Sequence, residues 1–175
     1  TGGEPTIMKE FFDLVNYAVD NDYAKNIILS ITTNGTRLTP QFIQKLKPFK
    51  KIRINVSVDG FKENYEYIRY PMRWSVFDKR MKSLSDDINS NNSNVASVDF
   101  TIVSMMQNIE TIHKLENYIW QTFKGNDNVG VQIQTNLRPF NSTNDLRFLP
   151  KDILQKALSD SEEVNSKTNY HSNIY

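Results

Sequence analysis

The chain has 175 residues, 38% of them hydrophobic, enough for one core of ordinary size. Twenty-one basic against 20 acidic residues leave a net charge of +1, so no overall field draws nucleic acid or an anionic membrane to it. The absence of cysteine excludes disulfides and thiolate ligands within these residues, and no apolar run reaches the roughly 18 residues that cross a bilayer.

The first five residues are Thr1-Gly2-Gly3-Glu4-Pro5. Adjacent glycines let a backbone approach a ligand closely, and a carboxylate beside them can accept from an ammonium group; the same pentapeptide also suits a frayed end. Met8, Phe11, Phe12, Val15, Ala18 and Val19 recur at three- and four-residue steps, predicting an amphipathic helix that ends near Asn21-Asp22. Asn26 to Thr33 reads as a strand closed by Asn34-Gly35. Thr39-Pro40 starts a helix and Lys47-Pro48 stops it. Lys51 to Asp59 alternates strictly and ends at Gly60, a second strand. A helix is expected from Trp74 to about Ile88, a loop from Asn89 to Asn94, and a strand from Ser97 to Ser104. Ile109, Ile112, Leu115, Ile119 and Trp120 mark another helix face, broken by Gly125-Asn126-Asp127. Val129 to Leu137 is the last strand, and a short helix is expected around Ile153 to Leu158. The domain is expected to span residues 1–158, with 159–175 a polar, poorly ordered tail. Alternating helices and strands predict crossover units on a mainly parallel sheet.

The strands carry a row of polar residues that parallel strands buried on both faces would lack. Arg53, Asn55, Ser57 and Asp59 oppose Ile52, Ile54, Val56 and Val58. Ser30, Thr32 and Asn34 oppose Leu29 and Ile31; Ser97, Asp99 and Thr101 oppose Val98, Phe100 and Ile102; Gln132, Gln134 and Asn136 oppose Val131, Ile133 and Leu137. The polar rows face either a shared interior holding water or a polar ligand, or open solvent over a sheet covered on one side. Glycine and polar residues gathered at carboxyl strand ends favour the enclosed arrangement, since ligands bind at that edge of parallel α/β folds. His113 and His171 are too far apart in sequence to suggest a metal site. Tyr65, Tyr67, Tyr70 and Trp74 suit rim packing better than base stacking.

Gly2-Gly3-Glu4-Pro5, Thr33-Asn34-Gly35, Ser57-Val58-Asp59-Gly60 and Tyr67-Ile68-Arg69, in this order, resemble the radical S-adenosylmethionine (SAM) enzymes, most closely the branch with SPASM or twitch extensions. The resemblance covers roughly residues 1 to 155 and implies a partial (β/α)6 TIM-type barrel, truncated at its N-terminus, with SAM and a [4Fe-4S] cluster as cofactors. It gives Gly2, Gly3 and Glu4 to the SAM amino group, Asn34 to the site lining, Ser57 and Asp59 to the ribose and methionine parts, and Arg69 to the SAM carboxylate. Thr32, Asn55, Ser104 and Asn108 are further lining candidates, and Gln134 and Asn136 fall nearer the substrate. The plainer readings are a turn at Asn34-Gly35, a helix cap at Asp59 and a solvated charge at Arg69.

The family's CxxxCxxC cluster loop has no counterpart here, because the chain has no cysteine. The resemblance therefore implies a fragment whose cluster loop lies upstream, inactive alone, and acting when intact on a peptide or small molecule with an electron donor; the lack of a membrane-length apolar run and of a basic-then-apolar opening segment predicts a cytoplasmic location. The alternative is a SAM-binding or interaction module that has lost the cluster.

Overall fold

The computed structural model describes residues 3–123, 126–135, 146–168 and 173–174. A 3-10 turn over Pro5–Ile7 leads into helix α1 (Lys9–Asp20), which buries Val15 and Ala18 and sets Phe11 and Phe12 against Phe42. Strand β1 (Ile28–Thr33) starts later than the predicted Asn26, because Ala24–Asn26 form a 3-10 turn closed by the Ile27 N–H on the Ala24 carbonyl. Helix α2 (Pro40–Leu46) begins as its sequence requires: the Thr39 hydroxyl accepts the Phe42 N–H at 3.0 Å and Pro40 fills the first turn. Strand β2 (Lys51–Ser57) runs parallel to β1, in register from Ile28 opposite Lys51 to Thr33 opposite Val56.

Gly60 leads to helix α3 (Glu63–Ile68), which hydrophobic periodicity does not reveal. A side chain at Gly60 would place its Cβ 2.6 Å from the Tyr65 nitrogen, so only glycine admits α3 this close. Helix α4 (Trp74–Ile88) has its predicted bounds, while strand β3 (Val95–Ser104) begins two residues before the predicted Ser97. Helix α5 (Ile112–Phe123) precedes strand β4 (Val129–Thr135). Helix α6 (Lys151–Thr168) continues well past the expected end at Leu158, so the segment from Ser159 to Thr168 is helix and not tail. Strand β5 (Asn173–Ile174) pairs in parallel with Gln132 and Ile133 of β4.

The strands form one sheet in the order β1-β2-β3-β4-β5, with β1 at an edge. The predicted alternation is observed in each of the longer strands. Ile31, Ile52, Ile54, Val56, Val98, Phe100, Ile102, Val131 and Ile133 are buried, whereas Ser30, Thr32, Arg53, Asp99, Gln132 and Gln134 are exposed. Exposure of the polar row suits the inner face of an incomplete barrel as well as an open sheet.

The chain divides into two compact units. The first comprises residues up to 57, 75–100 and the start of β4, with Phe77 and Met81 of α4 packed over Gly35 and Val56. Its Asn94 side chain donates to the carbonyls of Lys47 (3.2 Å) and Phe49 (2.7 Å), closing the end of α2, while its own carbonyl accepts the Ile52 N–H. The second comprises residues 58–74, 101–124 and those from 131 onward. There Trp74 packs edge-on against Phe61, Tyr65 and Tyr118 with ring centroids 4.8 to 5.5 Å apart. Of the four aromatic residues expected to pack, Tyr65 and Trp74 do, while Tyr67 and Tyr70 are exposed.

Candidate functional site

In the first unit the site begins with Gly3, whose φ of +121° is a conformation that L side chains rarely adopt. Glu4 then caps the Pro5–Ile7 turn. Its Oε1 accepts from the Thr6 N–H (3.2 Å), the Thr6 hydroxyl and the Thr33 hydroxyl (2.7 Å), and its Oε2 accepts the Asn34 N–H at 2.7 Å. Burial alone would raise the carboxyl pKa, but these hydrogen bonds favour the charged form more strongly and hold it below the usual 4.5. Three of these four donors meet Oε1 and one meets Oε2, so Glu4 fastens its loop to the carboxyl end of β1 while Oε2 keeps room for a further donor. Asn34 turns its own side chain inward on the loop, accepting from the Thr36 N–H (3.0 Å) and hydroxyl (2.6 Å). Thr32 is exposed, Asn55 and Ser57 are half-buried on β2, and Gly2 lies outside the described residues.

In the second unit Asp59 and Arg69, predicted separately as ligand contacts, form an ion pair through Asp59 Oδ2 and Arg69 Nη2. Asp59 is buried, and its Oδ1 accepts the Val103 N–H at 3.0 Å. Asn108, 1% exposed, donates to the carbonyls of Asp59 (2.8 Å) and Val103 (2.7 Å) and accepts the Met105 N–H (2.8 Å). Asn64 of α3 adds a further tie, donating to the Gln107 carbonyl and accepting from the Thr111 hydroxyl. Arg69 Nε is buried without a hydrogen-bond partner among the described residues. Ser104 is buried at the end of β3 and Gln134 is exposed on β4; Asn136 lies outside the described residues.

Sequence reasoning misses the roles of Thr6, Thr33 and Asn64. The one signal for the first two is the threonine beside each motif, in Gly-Gly-Glu-Pro-Thr and Thr-Thr-Asn-Gly. Two cavities of about 380 and 410 Å³ lie along α5 and α6, both lined by His113, Lys114 and Asp160, and neither holds a predicted site residue. No group of three or more His, Cys, Asp or Glu side chains suited to a metal occurs among the described residues.

Parallel strands ending in polar, glycine-bearing loops, with side-chain locks fixing those loops, define an α/β protein of the kind that binds ligands at the carboxyl edge of its sheet. The sequence matches the Radical SAM superfamily over residues 1–119, and the chain belongs to that superfamily. It is 29% identical over 111 residues to the mycofactocin maturase MftC of Mycolicibacterium smegmatis, covering 63% of this chain and 26% of that protein. It is 35% identical over 60 residues to an AdoMet-dependent heme synthase of Methanosarcina barkeri, covering 34% of this chain and 16% of that protein. Its fold is similar to that of Streptococcus suis SuiB bound to S-adenosylmethionine, with a TM-score of 0.60 at 14% identity over 99% of this chain and 37% of that one. The likeness agrees with a partial barrel. The chain spans about a quarter of the maturase it matches.

Proposed function

We propose that this chain is the SAM-binding portion of a radical SAM enzyme. The observation that carries the reading is the Glu4 lock, which holds the Gly3 loop against the carboxyl end of β1 at a motif that carries the superfamily resemblance. In the first unit Gly2, Gly3 and Glu4 receive the amino group of SAM, Glu4 also fixing the loop, and Asn34 and Ser57 add polar contacts. In the second unit Arg69, with an unpartnered Nε, meets the carboxylate, and Asp59 orients it. Thr32 and Asn55 in the first unit and Ser104 in the second are further lining candidates, and Gln134 and Asn136 are candidates for the substrate side.

When bound at the superfamily's iron–sulfur cluster, SAM supplies a radical that abstracts hydrogen from substrate. The residues present do not fit the cluster itself, since the chain offers no thiolate and its described residues include no other group of side chains suited to a metal. The relatives named as maturases support a peptide substrate. No helix among the described residues is long and apolar enough to cross a membrane, and we place the protein in the cytoplasm with an electron donor as partner.

Equilibrium dialysis with SAM and with its carboxyl methyl ester tests the reading. Esterification removes the charge that Arg69 is proposed to meet, and should weaken binding about tenfold or more. Equal affinity for acid and ester would remove Arg69 from the carboxylate site.

A further inference from the structure

Asn108 has no atom left for a ligand. Both amide hydrogens are used, on the Asp59 and Val103 carbonyls, and its Oδ1 takes the Met105 N–H. Val103 in turn donates its N–H to Asp59 Oδ1, so Asn108, Val103 and Asp59 form a closed circuit of hydrogen bonds between the end of β3 and the segment after β2. Arg69 extends outward from this circuit, held by Asp59 Oδ2 and carrying the buried, unpartnered Nε. Asp59 is thereby fixed at its backbone and at both carboxylate oxygens, and with it the point at which the guanidinium is held.

We infer that Asn108 is a positioning residue: acting through Asp59, it orients the Arg69 guanidinium toward an anionic ligand group, a carboxylate on the reading proposed above. The orientation rests on the hydrogen bonds alone, and only the identity of the ligand rests on that reading. Removing the Asn108 donors frees the Asp59 carbonyl and the end of β3 together, so the guanidinium loses its fixed direction even though neither Asp59 nor Arg69 is altered.

The test reads Arg69 directly, by the 15N NMR signal of its Nε–Hε group in the full chain, assigned with Arg69→Lys. In the parent protein the signal should be resolved and slow to exchange. In Asn108→Ala it should exchange at least about tenfold faster, as for a group released from burial. Asn108→Ser, smaller and with a single hydroxyl that cannot span both carbonyls, should behave alike and serves if the alanine variant does not fold. Asp59→Asn should release Arg69 as well, and adding Asn108→Ala to it should cause little further change, because both act along one route. An unchanged Arg69 signal in a folded Asn108 variant overturns the inference, and so does full additivity with Asp59→Asn. Titration with SAM separates the two claims: a parent signal that SAM leaves unmoved refutes the ligand assignment, while the response of the variants still decides the role of Asn108.

Discussion

Glu116 offers a test of the packing between α5 and α6. Its side chain is buried, and neither carboxylate oxygen has a well-formed hydrogen bond among the described residues, the nearby Ser161 hydroxyl being the one weak partner. Burial pushes its pKa from the ordinary 4.5 up to about 7, opposed in part by the nearby Ser161 hydroxyl of α6. An acid with a raised folded-state pKa holds its proton more tightly when folded. The protein therefore feels no penalty below the unfolded value, loses stability as pH climbs from about 4.5 to about 7, and carries a constant penalty above that. At about 1.4 kcal/mol per pH unit, the full effect is about 3 kcal/mol. Glu116→Gln cannot ionise, so its stability relative to the parent should rise by about that amount between pH 4.5 and pH 7.5. Urea unfolding at a series of pH values, followed by tryptophan fluorescence, measures the difference, with Trp120 on α5 itself as a reporter. A difference that stays flat across this range would show that Glu116 is solvated or partnered, and that the account of the α5–α6 interface is wrong.

Three further outcomes follow from the geometry. Glu4→Gln keeps the shape but replaces one acceptor oxygen with a donor facing the N–H and hydroxyl groups around it, and should cost about 1.5 to 3 kcal/mol in urea unfolding; no loss would mean the lock at β1 is not formed. Asn94→Ala leaves the Phe49 and Lys47 carbonyls without their donor and should cost about 1 to 3 kcal/mol, with hydrogen exchange accelerated at the Ile52 amide as the strand start loosens; an unchanged midpoint and exchange rate would contradict this closure of α2. Gly60→Ala sets a Cβ within 2.6 Å of the Tyr65 nitrogen, so α3 must move. Thermal unfolding should show a drop of several degrees, and an unchanged midpoint would contradict the close approach.

The strands are legible in sequence because one face is apolar at period two, from Ile52-Ile54-Val56 to Val98-Phe100-Ile102. Helix α3 is not, because six residues give too few turns to show a 3.6-residue period, and what sets it against its unit is the missing side chain at Gly60. The late start of β1 reflects a local 3-10 turn that competes with the apolar run for the same residues. The polar row is visible as a row, but alternation cannot tell a lumen from an open face; Arg53, Asp99 and Gln134 are exposed. At the candidate site, sequence singles out residues without marking which touch one another. Glu4 looks in sequence like a partner for an ammonium group, and what sequence does not show is that it also ties Thr6, Thr33 and Asn34 together. Asp59 and Arg69 lie ten residues apart and look like independent contacts, yet they pair. Asn108 is a loose candidate for the lining by sequence, and its hydrogen bonds are all internal.

The central claim is that this chain binds SAM with Arg69 as an anchor. Isothermal titration of SAM into the parent protein and into Arg69→Ala tests it most directly. Saturable binding that weakens at least about tenfold in the variant, with both proteins folded by circular dichroism, is the result expected from losing a charged anchor. Binding of equal strength in the two, or no binding by the folded parent protein, would contradict the account.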